Sequence, residues 1–208
     1  MSNNNLEKIK VFTLGDGSVG KSCFILKYTE DKFQQSHLIT TGIDLKSKVE
    51  KLENGKEYRV DFYDTAGQER FQSISLNSIK SADGIILMYD ITRQKTYDNI
   101  SVWMESVKEC KGENFPMILI GNKSDLEQKR IISKEEGEEL ALKYKLKFFE
   151  ISNKTGDNVK KAGLEIINQI VGIKEKEKSE ILKTYEVIEN FKLDKKKIKS
   201  KKKHKLCK

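Results

Sequence analysis

Gly15-Asp16-Gly17-Ser18-Val19-Gly20-Lys21-Ser22 is the stretch on which the fold turns. It follows an apolar run of strand length, Lys8–Leu14, and leads into a segment with helical spacing, Gly20–Thr29. Glycine, four residues, then Gly-Lys-Ser is the phosphate-loop pattern. Its glycines let the backbone curl until successive N–H groups face an anion, and the helix N-terminus adds partial positive charge. In that arrangement Lys21 reaches outer phosphates and the Ser22 hydroxyl offers an oxygen to Mg2+. A glycine-rich turn can arise by accident, but the strand before it and the helix after it mark this one as a phosphate site.

Strand-length and helix-length segments go on alternating. Asp44–Leu52 and Glu57–Tyr63 flank Glu53-Asn54-Gly55, where Asn54-Gly55 predicts a hairpin, and Gly84–Asp90 is a further strand. Tyr97–Cys110 has helical spacing, Phe115–Gly121 reads as a buried strand after its Pro116 start, and Lys134–Tyr144 reads as a helix. Phe148–Ser152 and Asn158–Val171 add a last strand and helix. The pattern predicts an α/β fold: a mostly parallel six-stranded sheet with helices on both faces and one antiparallel hairpin strand, in a single domain over residues 1–173. Ligands of such sheets sit where strands end and helices begin, here the loops after the first, third, fifth and sixth strands.

The 208 residues carry 40 Lys plus Arg and 32 Asp plus Glu, and 37% are apolar, enough for one ordinary core. The charge is unevenly placed. Residues 1–173 balance 26 basic against 26 acidic side chains, whereas 174–208 hold 14 Lys against 6 acids, so the whole surplus of +8 lies there. No run approaches the ~20 apolar residues of a bilayer span, and Met1–Lys10 is polar, which predicts a cytosolic or cytosol-facing protein. Cys23, Cys110, Cys207, His37 and His204 are too few and too scattered for a disulfide framework or a zinc site.

Two further strand ends carry chemistry. Asp61-Phe62-Tyr63-Asp64 closes the third strand before Thr65-Ala66-Gly67-Gln68-Glu69-Arg70-Phe71, and Asp64 is a candidate for holding Mg2+ beside the first loop. Asn122-Lys123-Ser124-Asp125 follows the fifth strand. A carboxylate there can accept two hydrogen bonds, from guanine N1–H and the exocyclic amine, a donor pattern adenine lacks. A phosphate-loop kinase would leave this motif unexplained.

Taken together, these motifs resemble the Ras superfamily of small GTPases, and within it the Rab family, over Ile9–Val171 and more loosely through the lysine-rich tail. The Rab likeness rests on Thr40-Thr41-Gly42-Ile43-Asp44-Leu45, Arg70-Phe71-Gln72-Ser73-Ile74-Ser75 and Leu87-Met88-Tyr89-Asp90-Ile91-Thr92. The resemblance implies GTP or GDP with Mg2+, Ser22 and Thr40 as metal ligands, and Asp64 acting through a metal-bound water. It implies a nucleotide-binding set of Gly15, Asp16, Gly17, Ser18, Val19, Gly20, Lys21, Ser22 and Cys23, with Phe33 packed on the guanine and Gly67 at the γ-phosphate. Asn122 and Asp125 would read the base and Lys123 cover it. Ser152-Asn153-Lys154 matches the last base-contacting loop, where the family usually has Ser-Ala-Lys. Leu45, Tyr63 and Ser78 stand where many Rab proteins carry an effector-binding aromatic triad, so effectors cannot be copied from a well-known member.

By the same resemblance Gln68 orients the attacking water, Lys21 and the loop stabilise spreading negative charge, and Gly17 leaves room beside the γ-phosphate. Arg59, Arg93 and Arg130 match no internal arginine finger, so slow intrinsic turnover with a partner-supplied arginine is expected. The implied partners are an exchange factor, an activating protein and Rab-type effectors, acting on a monomer that regulates vesicle traffic. Nine lysines against one acid in Asp194–Lys208 suit the anionic cytosolic face of an endomembrane or the plasma membrane. Cys207 is the lipidation candidate, although Leu206-Cys207-Lys208 is neither a double-cysteine ending nor a Cys-a-a-X box. Residues 174–208 read as a flexible lysine-rich tail. Two alternatives stay open: a guanine-nucleotide scaffold with little turnover, and a Ran-like nuclear GTPase addressed by its lysines.

Overall fold

The computed structural model describes residues 6–33, 43–65 and 79–205, with side chains over 6–33, 44–65 and 79–185. Thr40, Gly67, Gln68, Ser78 and Cys207 lie outside the described residues. The elements are β1 (Glu7–Leu14), α1 (Lys21–Glu30), β2 (Ile43–Lys51), β3 (Glu57–Thr65), β4 (Gly84–Asp90), α2 (Gln94–Asp98) and α3 (Ile100–Lys111). After them come β5 (Met117–Asn122), a 3-10 turn (Ser124–Lys129), α4 (Lys134–Tyr144), β6 (Lys147–Ile151) and α5 (Val159–Lys205).

The strands form one six-stranded sheet in the order β2-β3-β1-β4-β5-β6. Only β2 and β3 pair antiparallel, and the other neighbours are parallel. The predicted hairpin forms: Leu52 N–H donates to Lys56 O, Gly55 N–H donates to Leu52 O, and Gly55 takes φ 78. β4 and β5 are buried at every residue, which is why they read as unbroken apolar runs. Edge strand β2 instead exposes Leu45 and Val49 and interleaves lysines, a pattern that discourages pairing with another chain.

Side-chain alternation sends Phe12, Leu14, Leu87 and Leu119 to one face, where Trp103 and Met104 of α3 and Ala141 of α4 close the core. Ile86 and Met88 alternate with that set; a methyl built on Gly84 of their face would lie 2.6 Å from Ile170 of α5. On β3, Phe62 meets Tyr28 of α1 edge-on at 5.2 Å. Helices therefore cover both faces, as the alternation predicts.

Two boundaries differ from the sequence-based expectation by three residues or more. The helix expected over 97–110 starts at Gln94 and breaks at Asn99, because Thr96 turns the chain early: its Oγ1 donates to Arg93 O at 2.8 Å. The last helix, expected to end at Val171, runs to Lys205. No glycine or proline follows Gly172, and the Lys/Glu alternation of 174–178 has high helix propensity. The chain divides into two units, one through Ile170 and one from Val171. In the second, Ile181, Leu182 and Tyr185 are exposed. Among the described residues no helix is long and apolar enough to cross a membrane.

Candidate functional site

The site is built at the C-terminal ends of β1, β3, β4, β5 and β6, around the loop that leaves β1. Gly15 takes φ 137 and Gly20 φ 104, and a methyl on Gly15 would lie 2.2 Å from Met88 O. One on Gly20 would lie 2.2 Å from Asn122 Nδ2, so neither position accepts a side chain. Ser18 adopts the left-handed region at φ 61 without being glycine. α1 then starts at Lys21, with Phe24 N–H already bonded to Gly20 O at 2.9 Å. The N–H groups of the first turn are those an anion can use.

Lys21 is 5% exposed, and its Nζ donates to the carbonyls of Gly15 and Asp16 at 2.8 Å each. Burial pushes its ammonium down to about 8; Asp64 and Asp16 pull it back up and Arg93 opposes them. Ser22 Oγ donates to Asp64 Oδ2 at 2.5 Å, so the first residues of α1 and the tip of β3 meet. A hydroxyl and a carboxylate side by side are hard oxygen donors suited to Mg2+. No group of three or more His, Cys, Asp or Glu gathers among the described residues. Cys23 is half-buried, and burial raises its thiol above the ordinary range, which fits packing rather than reactivity.

The base motif touches this loop directly. Asn122, the last residue of β5 and 1% exposed, donates from Nδ2 to Val19 O at 2.7 Å, and its Oδ1 accepts from Asn153 N–H at 3.4 Å. Asn153 donates from Nδ2 to Gly20 O at 2.9 Å, while its own Oδ1 is buried without a hydrogen-bond partner among the described residues. Asp125 Oδ1 accepts from Ser152 Oγ at 2.7 Å, with Lys154 Nζ 4.0 Å from its other oxygen. Behind the turn, Arg130 forks onto Glu127 and Glu150. Phe33 lies just past α1 and is 41% exposed.

Three features escape the motif reading. Asp16 turns its carboxylate to Asn99 Nδ2 at 2.7 Å and Trp103 Nε1 at 3.1 Å, bracing the loop against α3 and its preceding residue. Asp90, at the tip of β4 and 1% exposed, takes Lys123 Nζ at 2.6 Å and Arg93 Nε at 3.0 Å. Burial opposes charge on Asp90, but the hydrogen bonds from Lys123 and Thr92 outweigh it and hold the carboxyl below the ordinary range. Arg93 also donates from Nη2 to Gly17 O at 2.8 Å. A carboxylate ending the apolar run 85–89 signals that a cation must meet it; which cation, and what else that cation touches, needs the fold.

The chain matches the Ras family over residues 10–172. It is 40% identical to Ras-related protein Rab-10 of Diplobatis ommata over 162 residues, 78% of this chain and 80% of that protein. Ras-related protein Rab-13 of Rattus norvegicus is 41% identical over 78% of this chain and 79% of its own. The GTP-binding protein ypt2 of Schizosaccharomyces pombe is 43% identical over 78% of this chain and 80% of its own. A family match across the whole sheet, joined to a phosphate loop, a strand-tip acid and a guanine motif set at neighbouring strand ends, means that this chain belongs to the Ras family and is a Rab-like small GTPase.

Proposed function

We propose that this chain is a guanine-nucleotide switch of membrane traffic that binds GTP and GDP between its phosphate loop and its Asn122–Asp125 motif. The observation that carries the reading is the hydrogen bond from Asn122 Nδ2 to Val19 O, which makes base-reading and phosphate-holding segments one site. Asp125 accepts from the guanine edge, held in place by Ser152. Lys21 neutralises the outer phosphates, and its low-lying proton affinity reflects burial that a polyanion would offset. Ser22 and Asp64, with Thr40, would hold Mg2+, which when bound spreads the charge of the phosphates.

Hydrolysis is attack of water on the γ-phosphate, with Gln68 orienting the water. Among the described residues Arg59 is paired with Asp61, Arg93 with Asp90, and Arg130 with Glu127 and Glu150, which supports slow turnover until a partner supplies an arginine. Loss of the γ-phosphate releases Thr40 and Gly67, and the segments around them change the surface offered to effectors. Residues 174–208 act as a lysine-rich tail drawn to anionic membrane, with a prenyl group on Cys207 as the second anchoring signal. Exchange factor, activating protein and effectors meet a monomer. The test is single-turnover hydrolysis: Gln68→Leu is expected to keep its GTP far longer than the wild type, and equal rates would overturn the switch mechanism. The mass of the C-terminal peptide from native cells reads the Cys207 modification separately.

A further inference from the structure

A trans peptide holds its C=O and the next residue's N–H in one plane, pointing in opposite directions across the C–N bond. A donor that fixes a loop carbonyl on one side therefore aims the following N–H at the other. Beyond Lys21, which holds the Gly15 and Asp16 carbonyls, three side chains do this along the phosphate loop: Arg93 on Gly17 O at 2.8 Å, Asn122 on Val19 O at 2.7 Å and Asn153 on Gly20 O at 2.9 Å. The amides they orient belong to Ser18, Gly20 and Lys21, members of the run that forms an anion cradle. The first of them matters most, because Ser18 sits at φ 61, where a side chain resists and the backbone needs an external hold.

Arg93 is itself held. Its N–H donates to Asp90 O at 3.0 Å, its carbonyl accepts from Thr96 Oγ1 at 2.8 Å, and its Nε donates to Asp90 Oδ2 at 3.0 Å. Only a guanidinium fork can span the Asp90 carboxylate and the Gly17 carbonyl at once. Asp90 in turn takes Lys123 of the base motif, so one buried carboxylate anchors both ends of the nucleotide site.

We propose that Arg93 is a positioning residue for the outer phosphates: it grips the Gly17 carbonyl from behind and so points the Ser18 N–H into the cradle. This rests on the reading of the site as a guanine-nucleotide site. It does not make Arg93 an arginine finger, since its fork is spent on Asp90 and Gly17.

The test compares dissociation of GDP with the affinity for guanosine monophosphate, which keeps the base contacts but lacks the outer phosphates. In Arg93→Ala, GDP dissociation is expected to rise about tenfold, the scale of one charge-assisted hydrogen bond. Guanosine monophosphate affinity should stay within about twofold of the wild type. Arg93→Lys keeps the charge near Lys21 but not the fork, so it should also release GDP faster; it carries the test alone if the alanine variant does not fold. An unchanged GDP rate, or equal losses for both nucleotides, overturns the role of Arg93. A wild-type chain that binds neither nucleotide overturns the site reading itself.

Discussion

Replacing Asp90 by asparagine removes one negative charge from the point where four donors converge. Its Oδ1 accepts from Thr92 N–H at 2.9 Å and Thr92 Oγ1 at 2.7 Å, and its Oδ2 from Lys123 at 2.6 Å and Arg93 at 3.0 Å. Breaking a buried ion pair from one side costs about 3–5 kcal/mol when the stranded partner is sealed from water. Here the stranded cations are partly wet, Lys123 at 25% and Arg93 at 41% exposure, and asparagine keeps an acceptor for Thr92. The loss should therefore fall to about 2–3 kcal/mol. For a chain of this size that corresponds to roughly 4–12 °C in Tm. Urea unfolding followed by the fluorescence of Trp103 reads it well, because that is the single tryptophan, 2% exposed and bonded to Asp16. Nucleotide is stripped with EDTA so that ligand binding does not add to stability. Thr92→Val should lose about 1 kcal/mol, and the double variant less than the sum. A loss below about 1 kcal/mol in Asp90→Asn would refute the idea that this carboxylate anchors both loops.

Tyr89 Oη is buried without a hydrogen-bond partner among the described residues, so Tyr89→Phe should be neutral or mildly stabilising in chemical denaturation. Gly137→Ala would place a methyl 2.5 Å from that hydroxyl and 2.4 Å from Phe148 Cζ; it should cost about 1–3 kcal/mol, and part of the cost should vanish in the Tyr89→Phe background. Ser133→Ala removes the capping box of α4, in which Ser133 and Glu136 bond reciprocally, and should lose about 1 kcal/mol in the same assay. Asp61 and Asp90 both lie below the ordinary carboxyl range: burial opposes their charge, but hydrogen bonds from Ser47 and Arg59 to Asp61, and from Lys123 and Thr92 to Asp90, prevail. Their contribution is thus complete above about pH 4 and is lost as acid passes their lower folded values, and the acid limb should be shallower in Asp90→Asn.

The sequence made the strands, the hairpin and each separate motif legible because their signals are local: a period of two, an Asn-Gly turn, a Gly-Lys-Ser run. What joins the motifs was not legible. Arg93 and Gly17 are 76 residues apart, and Asn153 and Gly20 are 133 apart, so no spacing rule connects them. Asn153 stood out only as a departure from Ser-Ala-Lys; that its amide reaches the start of α1 follows from β5 and β6 lying side by side. The early start of α2 was hidden for a different reason: Thr96 has low helix propensity, yet its hydroxyl bonds back to Arg93 O three residues earlier. α5 runs past its expected end because the alternating lysines and glutamates after Gly172, which read as the start of a linker, themselves favour helix.

The most direct measurement is the identity of the nucleotide carried by the full chain as purified with Mg2+ present, released by denaturation and resolved by chromatography. Guanosine di- or triphosphate is expected in stoichiometric amount, lost when Asp125 is changed to alanine. Adenine nucleotide, or none together with no uptake of added GDP, would contradict it.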